Sequence, residues 1–203
     1  MNPSALETIL AKGGITVLHG EALKRRSSEW IEAIVAGTIQ NPAGLLTKTR
    51  ADIEEVVAQD RIFVAFHEAT GAFVGSAVMW ELLGDWSELG TIYVVPAWRF
   101  AVTGLPVTQY LHLLAVATFE DAGRFVIETS TVPAVVHGAR TRHGMETPSF
   151  RDLPDDVHTA TCCCPIDKTG TTDNVASCRR MDNPCVLMAG PRTAEYIRQF
   201  RRP

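Results

Sequence analysis

The side chains with the clearest chemical potential are five cysteines, all of which lie between Cys162 and Cys185. Thiols concentrated in one segment suggest metal or redox chemistry, since the preceding 161 residues contain none. Tetrahedral zinc takes four Cys or His ligands, which short loops often supply in pairs. We therefore hypothesise a structural zinc or iron site, although the spacing is not that of two C-x-x-C pairs, and unligated thiols, a disulfide or a redox switch remain alternatives. The hypothesis assigns as ligands Cys162, Cys164, Cys178 and Cys185, with His158 as an alternate.

The cysteines flank a polar, turn-rich stretch at residues 165–174, which has the character of an inserted loop. A short apolar run at residues 185–189 follows it and predicts a late strand. We therefore expect residues 154–185 to form an ordered, cysteine-rich insertion before that strand, within a single domain spanning residues 1–203.

The composition is that of a globular protein, with 203 residues of which 46% are hydrophobic. Against 23 acidic residues stand 19 basic ones, and the net charge of −4 gives no general reason to bind nucleic acid or an acidic membrane. No apolar run reaches the roughly 18 residues of a membrane span. Residues 1–4 lack the basic and apolar start of a secretory signal. We therefore expect a cytoplasmic protein with no nucleic-acid or membrane partner.

Apolar periodicity predicts a mixed α/β fold. The middle of the chain has the alternation of strands, with a hairpin turn at residues 68–71 and a strand end before Pro96. Thr49 and Asp52 have the spacing of a capping box. A Rossmann domain would need strict alternation of strands and helices, which this order lacks. The predicted strands are 15–18, 62–66, 73–83, 88–95, 124–129, 145–150 and 185–189, and the predicted helices are 21–38, 50–59, 105–121 and 133–144.

Residues 88–99, which read Glu-Leu-Gly-Thr-Ile-Tyr-Val-Val-Pro-Ala-Trp-Arg, resemble the fourth strand and following loop of the GNAT N-acetyltransferases. In that family a strand ending in a Val-x-Pro-like step leads to Arg or Gln, then to x-x-Gly-x-Gly or Ala, and then to a helix. The element order is similar across roughly residues 13–150, and Gly144 stands where members often carry a Gly-Phe step. The resemblance implies an α/β, GNAT-like fold with a central, mostly antiparallel sheet flanked by helices, and acetyl-CoA or another acyl-CoA as co-substrate.

The resemblance also implies how coenzyme A is held. Backbone N–H groups and the positive end of a helix dipole bind the pyrophosphate, and the edge of the fourth strand holds the pantetheine arm. Val102 occupies a position where the family has glycine, and we expect its branched side chain to crowd a phosphate. Either the cofactor binds in a modified pose or the fold has lost acyl-CoA binding. The assigned residues are Ile92, Tyr93, Val94, Arg99, Phe100, Ala101, Val102, Thr103, Gly104 and Leu105.

For catalysis, the resemblance implies a general base on the fourth strand, and Glu88 lies near that location; the alternative is an exposed residue at a strand start. Many members place a tyrosine about four residues before the Gly-Phe step to protonate the leaving thiolate. This chain has Arg140 there, which cannot act as an acid near neutral pH. The aromatic side chains of Trp80, Trp86 and Tyr93 are candidates for walls of the acceptor cleft, with core packing as the alternative.

The leading hypothesis is an acyltransferase that moves an acetyl or other short acyl group from coenzyme A to an amine of a small molecule or a protein. The alternatives are a binding or regulatory module that keeps the fold without transfer, and an enzyme that uses a different donor or reaction. A homodimer is compatible with each hypothesis. The identity of the acceptor does not follow from the sequence, because acceptor loops vary on one scaffold.

Overall fold

The computed structural model describes residues 2–41, 45, 47–130, 132–161 and 185–200. The helices are α1 (Pro3–Lys12), α2 (Gly20–Lys24), α3 (Trp30–Gln40), α4 (Arg50–Ala58), α5 (Val107–Asp121), α6 (Pro133–Arg142), α7 (Asp155–Thr161) and α8 (Pro191–Phe200). The strands are β1 (Ile15–Leu18), β2 (Ile62–His67), β3 (Phe73–Leu83), β4 (Trp86–Val94), β5 (Phe125–Ser130) and β6 (Val186–Ala189). Short 3-10 turns lie at Pro96–Trp98 and Phe150–Asp152.

The strands form a mixed sheet in the order β1 to β6. The pairs β1–β2, β2–β3 and β5–β6 are antiparallel. The backbone N–H of Phe125 donates to the carbonyl of Asp85, and Thr129 contacts Glu88, so β5 runs in the same direction as the beginning of β4. The predicted α/β class and mostly antiparallel sheet are confirmed.

The chain forms two compact units. The first comprises Met1–Trp80 and Leu89–Thr118, and the second comprises Glu81–Glu88 and Phe119–Pro203. In the first unit, α3 and α4 bury apolar side chains against β2 and β3, among them Trp30, Ile34, Ile53, Val64 and Val78. In the second unit, the core gathers side chains from β4 to β6, α7 and α8, among them Trp86, Ile127, Val157, Leu187 and Ile197.

The start of α4 follows directly from the sequence. The Thr49 hydroxyl accepts a hydrogen bond from the Asp52 backbone N–H, and the Asp52 carboxylate accepts one from the Thr49 backbone N–H. This reciprocal arrangement satisfies two N–H groups that a helix start leaves open. The predicted capping box is confirmed.

The N-terminal helices differ from the prediction. The predicted helix 21–38 is two helices, because the chain leaves the helical conformation after α2 and re-enters it at Trp30. Ser27 and Ser28 lie in this break, and serine hydroxyls compete with helical hydrogen bonds. Helix α1 was not predicted, although the Asn2 side chain caps it and Pro3 occupies its first turn.

The C-terminal part also differs from the prediction. Residues 155–161, assigned to the insertion, form α7, because its buried Val157 packs in the core of the second unit. Residues 145–150 are not a full strand, and their only ladder contact among the described residues is the bridge between Glu146 and Ala189. Within the described ranges, no helix is long and apolar enough to cross a membrane.

Candidate active site

All ten residues assigned to coenzyme A lie in the first unit, along one continuous stretch of chain. Ile92, Tyr93 and Val94 form the end of β4, and the last ladder bond runs from the Val95 N–H to the Val74 carbonyl. Pro96 begins a 3-10 turn because it cannot continue the ladder. Residues 99–106 then connect this turn to α5.

The connecting loop contains a run of backbone donors without a protein acceptor among the residues described. The N–H groups of Arg99, Ala101 and Val107 donate to carbonyls of the same segment. Within the described part of the chain, no protein acceptor is found for the next N–H groups, which belong to Val102, Thr103, Gly104 and Leu105. These donors stand just before the N-terminus of a 15-residue helix, whose dipole favours negative charge there. The loop therefore has the properties of an anion-binding segment.

The Val102 side chain packs into the protein. It is only 7% exposed, and a Cβ atom on Gly13 would lie 2.7 Å from its Cγ2. Among the described residues other than glycine, only Asp60 and Thr91 have a positive φ, so valine is unstrained at position 102. Glycine at the end of α1 makes room for this side chain, and its crowding of a phosphate stays a prediction.

Two further contacts shape the loop. Gly104 has a φ of 103°, a conformation that side-chain-bearing residues rarely adopt. The Tyr110 hydroxyl, from the first turn of α5, donates to the Thr103 carbonyl at 3.1 Å. Arg99 is exposed, and its guanidinium lies 5.4 Å from the ring centroid of Phe100, which is itself 72% exposed. Both side chains therefore project from a loop whose backbone is contacted by Tyr110 at Thr103.

The end of β4 packs closely on its neighbours. A Cβ atom on Gly75 of β3 would lie 2.6 Å from the Tyr93 carbonyl oxygen, so glycine permits this approach. The Tyr93 ring stacks on Phe73 at 6.3 Å and covers Gly37 of α3. Thr91 has a φ of 50°, which is unfavourable for a β-branched residue and makes the backbone of β4 irregular just before Ile92.

Glu88 is a buried residue inside β4 and belongs to the second unit. The residue is 8% exposed, and Oε1 of its carboxylate accepts a hydrogen bond from the Thr129 hydroxyl at 2.6 Å. The alternative interpretation, an exposed residue at a strand start, is therefore wrong. A carboxylate held by a hydrogen bond in a buried position can accept a proton from a bound amine.

The aromatic candidates divide between the two units. Trp86 packs against Phe125 at 4.9 Å and Tyr196 at 5.9 Å in the second unit, so its contacts are those of a core residue. Trp80 and Tyr93 belong to the first unit. The Trp80 indole N–H donates to the Thr91 hydroxyl at 3.2 Å. This link between β3 and the irregular part of β4 was not anticipated from the sequence.

The predicted metal ligands are described only in part. Cys162, Cys164 and Cys178 lie outside the described residues. Cys185 is half-buried and immediately precedes β6, and His158 is in α7. Across the ranges that the structure describes, no group of three His, Cys, Asp or Glu side chains could hold a metal ion. The cysteine site therefore stays a prediction.

Two side chains at the start of α4 have shifted pKa values, as do Lys24 of α2 and Arg198 of α8. Hydrogen bonds from Thr49 lower the pKa of Asp52, and the charge of Lys48 contributes less. Hydrogen bonds to Glu32 and Glu54 raise the pKa of Arg50, which is exposed. Charge pairing at these surface positions stabilises the start of the helix modestly.

No family model and no curated protein matches the chain. Among solved structures, N-acetylglutamate synthase from Neisseria gonorrhoeae, complexed with coenzyme A and N-acetyl-glutamate, is 15% identical with a TM-score of 0.59, over 87% of this chain and 34% of that one. Rv2747 from Mycobacterium tuberculosis, in complex with CoA, is 19% identical with a TM-score of 0.59, over 86% and 98%. Ard1 from Thermoplasma volcanium is 11% identical with a TM-score of 0.53, over 87% and 96%.

The chain thus spans about a third of the Neisseria synthase and nearly all of the mycobacterial protein. An acetyltransferase of the GNAT family from Staphylococcus aureus is also similar, with a TM-score of 0.51 and 12% identity. At these identities the similarity concerns the fold. The α/β sheet and its flanking helices are those of GNAT-fold acetyltransferases, as the sequence resemblance implied.

Proposed function

We propose that this protein, which has the fold of acetyltransferases solved with coenzyme A, is an acyl-CoA-dependent N-acyltransferase. It moves an acetyl or other short acyl group to an amine of a small molecule or a protein. The observation that carries the proposal is the run of four N–H groups, at residues 102–105, without a protein acceptor among the described residues. Such donors at the start of α5 suit the pyrophosphate of an acyl-CoA.

In this proposal the loop and β4 hold the acyl donor. The 102–105 N–H groups and the Arg99 guanidinium bind phosphate oxygens, and charge-assisted hydrogen bonds make this contact strong. The backbone of Ile92, Tyr93 and Val94 pairs with the amide groups of the pantetheine arm. A backbone N–H of this segment then stabilises negative charge on the thioester oxygen as the amine attacks.

The reaction exchanges one bond for another at the acyl carbon. The amine nitrogen forms a bond to the thioester carbon, the carbon–sulfur bond breaks, and the sulfur leaves as thiolate. Glu88 accepts the proton that the amine loses, directly or through one water molecule. Thr129 holds the Glu88 carboxylate in place through its hydrogen bond. Solvent supplies the thiolate proton, since Arg140 stands where members of the resembled family have tyrosine.

Calorimetric titration with acetyl-CoA tests the donor site. We expect saturable micromolar binding, and we expect Arg99→Ala to weaken it by about tenfold, equivalent to about 1.4 kcal/mol. Arg25→Ala is a matched control, because Arg25 is also exposed and lies at the end of α2. Unchanged affinity in a folded Arg99→Ala variant would contradict the loop assignment. No binding at millimolar acetyl-CoA would instead favour a binding module or a different donor.

A further inference from the structure

Lys48 is a half-buried cation held between α3 and α4. Its backbone N–H donates to the hydroxyl of Thr38, a fully buried residue of α3, at 3.1 Å. Its ammonium lies 4.0 Å from the ring centroid of Trp80, a residue of β3 that belongs to the first unit. The side chain is therefore placed over an aromatic face rather than extended into solvent.

The Trp80 ring is itself fixed from β4. Its indole N–H donates to the Thr91 hydroxyl at 3.2 Å, and a Cβ atom on Gly90 would lie 3.1 Å from its Cδ1. Thr91 immediately precedes Ile92–Val94, the segment to which the proposed function assigns the thioester. The ammonium of Lys48 is therefore linked through one indole ring to the strand beside the reacting carbonyl.

The positive charge of Lys48 has no ion-pair partner among the described residues. The charge of Lys48 contributes to lowering the pKa of Asp52, but the Asp52 carboxylate accepts hydrogen bonds from Thr49, which are the main cause of that shift. A cation–π contact leaves the three ammonium donors open. An incoming carboxylate would satisfy them.

We propose that Lys48 binds a carboxylate of the acceptor, so that the acceptor is an amine that also carries a carboxylate, as a free amino acid does. This inference rests on the proposed function and names the substrate class of the same site. The Trp80 ring directs the ammonium and supports the aliphatic part of the acceptor. A polycationic amine is disfavoured because Lys48 repels it.

The test measures release of coenzyme A from saturating acetyl-CoA. Acceptors are the twenty L-amino acids, each beside its carboxamide, and spermidine. We expect amino acids to be preferred over their carboxamides. Lys48→Met should raise KM for the best amino acid by about tenfold or more while kcat stays within about threefold, because uniform binding is lost. KM for the matching carboxamide should not change.

Two variants control this test. Lys48→Arg keeps the charge and should restore KM to within about threefold of wild type, which a merely structural role of Lys48 would not predict. Lys12→Met removes an exposed lysine at the end of α1 and should behave as wild type. Melting temperatures of all variants identify any loss of fold.

Three results would overturn the inference: carboxamides or spermidine used as well as amino acids, an unchanged KM in Lys48→Met, or no amino acid acylated. The calorimetric titration separates these failures from failure of the proposed function. Acetyl-CoA binding together with a preference for uncharged amines would reject only the assignment of Lys48. Absence of acetyl-CoA binding would reject the donor site as well.

Discussion

Val102 joins the loop before α5 to the end of α1. Its side chain is buried against Gly13, and the open donors are its own N–H and those of the three residues that follow. The valine therefore contributes packing energy at a position where glycine would contribute backbone freedom. We expect this contact to hold the donors in one arrangement before any anion arrives.

We expect Val102→Gly to weaken acetyl-CoA binding rather than improve it. The change removes a buried side chain and frees the backbone, which should lower the free energy of unfolding by about 2–3 kcal/mol. Calorimetry should show affinity reduced several-fold. Val135→Gly is the matched control, because it makes the same change at an exposed valine outside the proposed site and should leave acetyl-CoA affinity unchanged. Tighter binding by Val102→Gly would show that the valine obstructs the phosphates.

At Glu88 the expected effect is on turnover. Glu88→Gln keeps the shape and the contact with the Thr129 hydroxyl but removes the basic carboxylate. Turnover should fall by about 10²-fold or more, with acyl-CoA affinity nearly intact. Asp85→Asn, an exposed change in the β3–β4 turn, is the control and should retain full turnover. A Glu88→Gln turnover within threefold of wild type would leave the carboxylate a purely structural role.

At the scale of elements, the capping box of α4 carries a pH-dependent part of the stability. Thr49→Ala should lower the free energy of unfolding by about 1 kcal/mol, because the first turn loses its acceptor. Urea unfolding followed by circular dichroism measures this change. Thr8→Ala, a change on exposed α1 surface outside any cap, should have a smaller effect and serves as control.

The sign of the pH effect follows from Asp52. Its pKa is lowered in the folded protein, chiefly by the Thr49 hydrogen bonds. Its contribution to the free energy of unfolding is therefore present above the pKa of the unfolded chain, which is about 3.9. The contribution is lost as the pH falls through the lower, folded value. Asp52→Asn should therefore be less stable than wild type at pH 7, and the difference should shrink below about pH 3.9. A difference that is independent of pH would contradict this.

The approach of β3 to β4 depends on Gly75. In Gly75→Ala the new methyl group would meet the Tyr93 carbonyl oxygen and a Val94 methyl group, each at 2.6 Å, and backbone must shift to relieve this. We expect a loss of about 1–3 kcal/mol in the free energy of unfolding, together with weaker acetyl-CoA binding. Gly84→Ala is a comparison variant that meets no atom within 4 Å but has a positive φ, so it measures backbone strain without steric contact, whereas Gly75→Ala measures steric contact without positive-φ strain. Equal binding by Gly75→Ala would show that the end of β4 tolerates displacement.

Several elements were predictable because their signals are local. Alternation of apolar residues located β2 and β3 closely, and the spacing of Thr49 and Asp52 located the start of α4. The break between α2 and α3 was missed because helical spacing continues on both sides of it. Helix α7 was missed because a polar, cysteine-rich neighbourhood concealed the burial of Val157.

At the scale of the whole molecule, the cysteine segment remains a sequence-based prediction. We expect about one equivalent of zinc or iron in protein purified without a histidine tag, with metal binding adding to folding stability. Elemental analysis should show its loss when all four proposed ligands are changed to serine, namely Cys162, Cys164, Cys178 and Cys185. Native thiol titration is the companion measurement, and five freely reactive thiols without metal would contradict the site.

The candidate site was only partly predictable, because its parts depend on contacts between distant positions. The loop at residues 99–105 was predictable, because a strand, a proline and a helix occur in that order along the sequence. The anchoring of Val102 on Gly13 and the stacking of Lys48 on Trp80 join residues far apart in sequence. No spacing within the chain encodes these contacts. Aromatic residues in the middle of the chain were the only signal that pointed toward Trp80.

The strained backbone at Thr91 lowers the stability of the folded protein, while the Thr91 side chain orients Trp80, to which we assign a part in acceptor recognition. A left-handed conformation costs a side-chain-bearing residue about 1–2 kcal/mol. Glycine at this position would avoid that cost, although part of the gain in the free energy of unfolding is lost because glycine makes the unfolded chain more flexible. Selection for survival at high temperature alone would therefore accept Thr91→Gly. The same change discards the hydroxyl that orients Trp80. A population evolved under heat, without demand for catalysis, would drift toward a more stable protein that lacks the contact to which we assign acceptor recognition.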